Sequence, residues 1–199
     1  SFFGVRRIIL SLGYLAQEIE NYVSSIFIEG LEIICAVEPE PLGTAGGLAF
    51  ASSHIKSDVA LVMNGDSFVD ADLCSLLDIH KACAFQATIV CTRVANSDRY
   101  GSVQINETGE VVSFQEKPET GSSSLINAGI YVFSRSMIGQ IQQIKCGSLE
   151  DDVFENLPLG SLNSYSGSFE FLDIGTPEGY ARATEMFQPF LRRWSRAAL

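Results

Sequence analysis

An α/β fold with a mostly parallel sheet and helices on both of its faces is predicted by three observations on this 199-residue chain. Short apolar runs rich in β-branched residues alternate with stretches of helical periodicity. Several of these runs are apolar throughout, as strands covered on both faces are. A glycine-rich turn also follows one of the runs and opens a helix.

The elements follow in order. Ile8 to Leu12, bounded by Gly13, reads as a buried strand, and Leu15, Ile19, Tyr22 and Val23 then recur at helical spacing. Leu31 to Val37 returns to strand, Ala45 to Ser53 is helix after the glycine turn, and Val59 to Met63 is strand again. Leu73, Leu76, Leu77 and His80 mark a helix from about Ala71 to Ala84. From Ala87 the rhythm changes: Ala87 to Arg93 is a strand, Gly101 to Ile105 and Val111 to Gln115 form a hairpin about Glu107 to Glu110, and Ser124 to Phe133 is a further strand. Ser148 caps a helical turn that carries Asp151 in its first residues. After strands at Leu162 to Tyr165 and Phe169 to Asp173, Thr176 followed by Pro177 is a helix start. In the tail, Phe187, Phe190, Leu191 and Trp194 share one helical face and Arg192, Arg193 and Arg196 lie mostly off it, the pattern of a core or subunit contact.

Composition bounds the function. The chain is long enough, and at 46% hydrophobic residues apolar enough, for one sizeable core. Its apolar runs are strand-length, well short of the roughly 18 residues of a membrane span, and no signal-peptide pattern precedes them, so a cytoplasmic protein without a membrane partner is expected. Five cysteines without a Cys-x-x-Cys pair suggest neither a disulfide framework nor a zinc site; buried thiols in a reducing compartment are expected. His54 and His80 share no ligand spacing and read as surface or boundary residues. Thirteen basic against 24 acidic residues give a net charge of −11, which argues against nucleic acid as a partner.

The chemistry concentrates in two places. Gly43, Gly46 and Gly47 lack Cβ atoms, so their backbone can approach a flat or anionic ligand, and a helix beginning near Ala45 would aim free N–H groups at it. The strand Val59 to Met63 delivers Asn64-Gly65-Asp66 to the carboxyl end of a sheet, where open α/β folds bind ligands. Glycines of this kind also serve plain packing, and an Asp after a strand also serves as a helix cap.

Leu42-Gly43-Thr44-Ala45-Gly46, Asn64-Gly65-Asp66, Tyr100-Gly101, Glu116-Lys117-Pro118, Asn127-Ala128-Gly129 and Asp173-Ile174-Gly175-Thr176-Pro177-Glu178 stand in the order found in sugar-1-phosphate nucleotidyltransferases. From about Gly4 to Met186 the chain resembles that family, and Arg7 to Tyr14 with Ser148-Leu149-Glu150 is most similar to its heptose- and mannose-1-phosphate guanylyltransferase branch. The resemblance implies a three-layer, Rossmann-like sheet of the nucleotide-diphospho-sugar transferase type over residues 1–186, with 187–199 as an amphipathic helical tail. It implies a nucleoside triphosphate and a sugar 1-phosphate as substrates. It places Mg²⁺ on Asp66 and Asp173 and the sugar phosphate on Lys117, these three being the catalytic residues. Leu42, Gly43, Thr44, Gly47, Asn64 and Gly65 would line the nucleotide, and Tyr100, Gly101, Glu116, Asn127, Gly129 and Glu150 the sugar. Helix capping accounts equally well for an acidic residue at Glu150.

The family's opening strand and Gly-Gly-x-Gly-Thr-Arg-Leu loop have no match in this sequence. By the resemblance, that strand is the first central one, between Ile8 to Leu12 and Val59 to Met63. Its absence predicts weak or no turnover. It also predicts that the flanking strands close on each other or that a second copy fills the gap, giving a homodimer. A non-catalytic sugar-phosphate- or nucleotide-binding module is the alternative. A metal-dependent glycosyltransferase is less well supported, since no Asp-x-Asp stands at Asp66.

Overall fold

A computed structural model describes residues 4–95, 100, 102–115 and 124–197. Its elements are β1 (Arg7–Leu12), α1 (Ala16–Ser24), β2 (Glu32–Val37), α2 (Gly43–Ala51), β3 (Val59–Met63), β4 (Ser67–Val69), α3 (Leu73–Ala82), β5 (Ala87–Val94), β6 (Ser102–Ile105), β7 (Val111–Gln115), β8 (Ser124–Ser134), α4 (Arg135–Ile141), β9 (Leu162–Gly167), β10 (Phe171–Asp173) and α5 (Pro177–Ala197). A π turn at Leu149–Val153 and 3-10 turns at Ser52–His54 and Phe154–Asn156 complete the set. The fold is α/β with a mostly parallel sheet, as predicted. The chain divides into two units, residues 1–60 with 133–158 and residues 61–132 with 159–199.

In the first unit β1 and β2 form a parallel pair, Arg7 opposite Glu32 through Leu12 opposite Val37. Arg7 ties the pair together by donating to the Glu32 carboxylate from Nε (2.7 Å) and Nη2 (2.5 Å). Both side chains reach solvent, so this ion pair adds about 1 kcal/mol or less. Met137, Ile138, Ile141, Leu149 and Phe154 supply the buried apolar surface, each contributing roughly 1.5–3 kcal/mol. Helix α2 is built for close approach, with Ala45, Gly46, Gly47 and Ala51 buried. Helix α1 is different. Apart from Ala16 it buries nothing, and Leu15, Ile19, Tyr22 and the following Ile26 and Phe27 remain exposed, Phe27 to 89%.

The second unit carries a sheet in the order β7-β6-β8-β5-β9, with β3 also on β8. β5 and β9 are parallel in register, Ala87 opposite Leu162 to Thr92 opposite Gly167. β6 and β7 form the predicted antiparallel hairpin, and the short pair β4–β10 is antiparallel. Leu76, Ile89, Val90, Ile126, Tyr131 and Val132 make the core. Thr176 caps α5 as its sequence predicted, its Oγ1 accepting the Gly179 N–H at 2.9 Å. Helix α5 then runs on through residue 187 without a break. Phe187 meets Phe68 edge-on at 4.9 Å, a contact of the kind expected for the tail's apolar face.

Three expectations change. Among the described residues β1 pairs with β2 alone and β3 with β8 alone, so direct closure of β1 onto β3 is not formed. Of the five free cysteines only Cys91 is fully buried, and burial pushes its thiol pKa far up, while Cys74 and Cys146 are exposed. His80 is not a boundary residue: it is 4% exposed and its Nδ1 meets the buried Thr88 hydroxyl at 2.9 Å. The 3.6-residue period places His80 on the same face as Leu76 and Leu73, which a polar residue's identity masked.

Burial depresses the His80 pKa below the ordinary 6.5. The unfolded chain therefore takes up this proton near pH 6.5 while the folded chain resists it. Stability from His80 is complete above pH 6.5 and is lost as the pH falls below it. Urea midpoints measured from pH 8 to 5 are expected to decline below 6.5, with a shallower decline in His80→Gln. Equal slopes in the two proteins would remove His80 from the account.

Candidate functional site

The second unit gathers the predicted metal carboxylates. Met63 ends β3, and the Asn64 N–H donates to the Gly129 carbonyl at 2.8 Å, which holds the Asn64-Gly65-Asp66 turn against β8. β4 then pairs with β10 so that Ser67 lies opposite Asp173, and the Ile174 N–H donates to the Asp66 carbonyl at 2.7 Å. This antiparallel register brings Asp66 and Asp173 side by side although 107 residues separate them in sequence. A Cβ built on Gly175 would lie 3.1 Å from Asp173 Oδ1 and 3.8 Å from Asp66 Oδ2, so both carboxylates border one point.

Asp173 is half-buried and held at both oxygens. Gly175 N–H donates to Oδ1 at 2.9 Å and Tyr100 Oη–H to Oδ2 at 3.1 Å. Tyr100 is itself braced edge-on against Phe171, ring centroids 5.4 Å apart. Asp66 is exposed. Among the described residues no group of three or more His, Cys, Asp or Glu side chains is placed to hold a metal. Two carboxylates, one fixed and one open to solvent, fit a hard cation that keeps most of its shell as water and substrate oxygens, as Mg²⁺ does.

Asn127 and Gly129 adjoin this point. Gly129 has φ +75°, and a Cβ there would lie 2.7 Å from Ser67 Oγ and 2.8 Å from Asn64 Nδ2. Its glycine identity thus admits the Asn64 and Ser67 side chains. Asn127 donates from Nδ2 to Tyr131 Oη at 2.9 Å and accepts the Gly129 N–H on Oδ1 at 3.0 Å. These two bonds fix the plane of its amide. Gly65 is exposed, with open space where a Cβ would stand. Gly101, Glu116 and Lys117 lie outside the described residues.

The first unit holds the remaining predicted residues, and here the glycines answer to protein atoms. Leu42 accepts the Gly147 N–H on its carbonyl (2.9 Å), Ala45 N–H donates back to the Gly147 carbonyl (2.9 Å), and Thr44 Oγ1 accepts the Leu149 N–H (2.8 Å). The first turn of α2 is thereby clasped to residues 147–149, and the Ala45 N–H expected to meet a ligand is already engaged. A Cβ on Gly46 would stand 2.8 Å from the Lys145 carbonyl, and one on Gly47 2.6 Å from Glu38 Oε1. Glu150 opens the π turn, where Ser148 Oγ accepts the N–H groups of Glu150 (3.1 Å) and Asp151 (3.2 Å) and donates to Glu150 Oε2 (3.1 Å). Asp152 completes the capping box by accepting the Ser148 N–H at 2.7 Å. Sequence reading missed Asp152, Glu38 and Ser67. The Ser148–Asp152 spacing, one residue longer than the usual box because the turn is π, hid the first, and nothing local marks the other two.

A mostly parallel α/β sheet with paired carboxylates near its strand ends is the frame of this site. The nucleotidyl transferase family model matches residues 3–188, and the chain belongs to that family. It is 35% identical over 184 residues to a mannose-1-phosphate guanylyltransferase of Mycobacterium tuberculosis, covering 91% of this chain and 51% of the relative. It is 33% identical to a D-glycero-alpha-D-manno-heptose 1-phosphate guanylyltransferase of Campylobacter jejuni, covering 89% and 77%. The crystal structure of HddC from Yersinia pseudotuberculosis complexed with GMP-PN superposes with a TM-score of 0.79 at 32% identity, covering 93% of this chain and 80% of that one. The chain spans about half the length of the mannose-1-phosphate guanylyltransferases it matches.

Proposed function

We propose that this chain carries the sugar side of a guanylyltransferase that joins a nucleoside triphosphate to a mannose- or heptose-type sugar 1-phosphate. In that reaction a phosphate oxygen of the sugar attacks the α-phosphorus, the α–β phosphoanhydride bond breaks, and pyrophosphate leaves with the electron pair. No protein nucleophile is required, and crowded negative charge is the obstacle. The observation that carries the reading is the convergence of Asp66 and Asp173 beside Gly175. These two side chains would hold Mg²⁺, which supplies positive charge against the phosphates when bound. Tyr100 and the Gly175 N–H keep Asp173 oriented for that task. The role of Asn127 at the sugar hydroxyls, its amide plane fixed by Tyr131, rests on the family resemblance. The roles of Lys117 at the sugar phosphate, of Leu42, Gly43, Thr44 and Gly47 at the nucleotide and of Glu150 at the sugar rest on the family resemblance.

We also propose a homodimer, supported by the exposed apolar row of α1 and the loop after it, and a cytoplasmic location, supported by five free thiols. No described helix is long and apolar enough to cross a membrane. Pyrophosphate release from GTP with mannose 1-phosphate or a heptose 1-phosphate tests the reaction. Release at any rate should require Mg²⁺ and fall by about 10²-fold or more in Asp66→Asn and in Asp173→Asn. Release that ignores both substitutions would overturn the assignment.

A further inference from the structure

A depression of about 160 Å³ lies on the second unit, lined by Arg93, Ile105, Leu125, Ser166, Gly167 and Ser168. It crosses four neighbouring strands, β9, β5, β8 and β6. Thr92 of β5 lies opposite Gly167 of β9, so Arg93, near the end of β5, and Ser168, just past β9, stand together at the carboxyl end of this strand pair. Among the described residues the polar side chains of the lining are one guanidinium and two hydroxyls, with no carboxylate. In a chain of net charge −11 that is a local reversal of sign. Among the described residues no acceptor pairs with Arg93, the one ion pair there being Arg7 with Glu32.

The walls, Ile105 and the buried Leu125, are apolar and sharpen the field of the cation. A volume of this size holds several waters. That is too little for a nucleoside and enough for one tetrahedral oxyanion. A planar guanidinium fork and hydroxyl donors in one lining are the groups that phosphate takes. Along a strand alternate residues share a face. Leu125 therefore stands on the side of β8 that carries Asn127 and Tyr131, whose mutual bond confirms their common face.

We infer that Arg93, Ser166 and Ser168 form a phosphate subsite on the sugar-binding side of the sheet, separate from the Asp66–Asp173 carboxylates. Its occupant is either the second phosphate of a sugar bisphosphate or free inorganic phosphate. The bisphosphate assignment rests on the proposed guanylyltransferase reading; the subsite itself does not.

The test titrates the protein with inorganic phosphate at constant ionic strength and follows the thermal midpoint. Wild type should show a saturable rise, and Arg93→Ala should need at least about 10-fold more phosphate, the loss of one charge-assisted contact of about 1.5–3 kcal/mol. Arg93→Lys should fall between, and the Ser166→Ala/Ser168→Ala pair should weaken binding several-fold. Arg93 is exposed, so its variants should melt like wild type without phosphate. No saturable rise in wild type, or the same rise in Arg93→Ala, overturns the subsite. A second arm compares binding of mannose 1-phosphate and mannose 1,6-bisphosphate. A bisphosphate preference that disappears in Arg93→Ala assigns the subsite to the substrate, and a phosphate response without that preference assigns it to free phosphate. Failure of the pyrophosphate-release assay leaves the inorganic phosphate titration intact, so the two ideas fail separately.

Discussion

Gly179→Ala is expected to destabilise the second unit by about 3 kcal/mol or more and, on the proposal that Asp66 and Asp173 hold Mg²⁺, to abolish the response to that ion. Gly179 is buried in the first turn of α5, and a Cβ there would overlap the Asp173 carbonyl oxygen while standing 2.9 Å from both the Asp173 carbonyl carbon and Thr176 Oγ1. Two of the three obstructing atoms belong to backbone, which cannot rotate aside. The helix must therefore lift away from β10, or β10 must move. Overpacking costs about 1–3 kcal/mol where side chains can give, and more where they cannot. Either movement also displaces Asp173 from the antiparallel register that sets it beside Asp66. Two companions separate this from ordinary loss of a cap. Thr176→Ala removes the hydroxyl that accepts the Gly179 N–H and should cost only about 1 kcal/mol. Glu178→Ala, at an exposed neighbour, should cost little. Chemical denaturation midpoints for the three, read beside Mg²⁺ titrations, decide the matter. A Gly179→Ala protein that melts with Thr176→Ala and keeps its Mg²⁺ response would show that α5 does not rest on Asp173.

The uneven legibility of the sequence has the same physical origin. Most strands and helices were readable to within two residues, because the apolar runs of β1, β3 and β5 and the helical period of α3 report element type directly. β10 reads in sequence as Phe169 to Asp173 and β4 does not read at all, being three residues long, too short for any period, and formed by pairing with β10. Helix α4 follows a strand without a turn residue, and only Ser134, whose hydroxyl accepts the Met137 N–H at 3.3 Å, marks its start. For the site, Asp66 and Asp173 were visible as carboxylates at strand ends, but what makes them a pair is a cross-strand register. Of the groups that orient Asp173, Gly175 lies two residues on and Tyr100 comes from a further segment. Local sequence encodes element type well and encodes partners that are distant along the chain hardly at all. His80 shows the complementary failure, in which residue type overrode a period that was correct.

Gly43 separates the two readings that sequence alone left open, a glycine kept for a ligand and a glycine kept for packing. Its φ is +73°, and a Cβ would overlap the Gly147 carbonyl oxygen and stand 3.0 Å from its carbon. For any other residue the left-handed conformation costs about 1–2 kcal/mol, and displacing the 147–149 backbone puts at risk the clasp formed by Leu42, Thr44 and Ala45. Gly43→Ala is therefore expected to cost about 3 kcal/mol or more and to strip hydrogen-exchange protection from the amides of Ala45, Gly147 and Leu149 together. Gly65→Ala is the matched control, since nothing lies within 4 Å of its Cβ position and its loop is exposed. It should leave stability within about 0.5 kcal/mol. If Gly43 instead served only a ligand, Gly43→Ala would melt as wild type, keep protection at all three amides and lose nucleotide binding alone. The overlap with Gly147 predicts the opposite order: structure fails first, and any loss of binding follows from it.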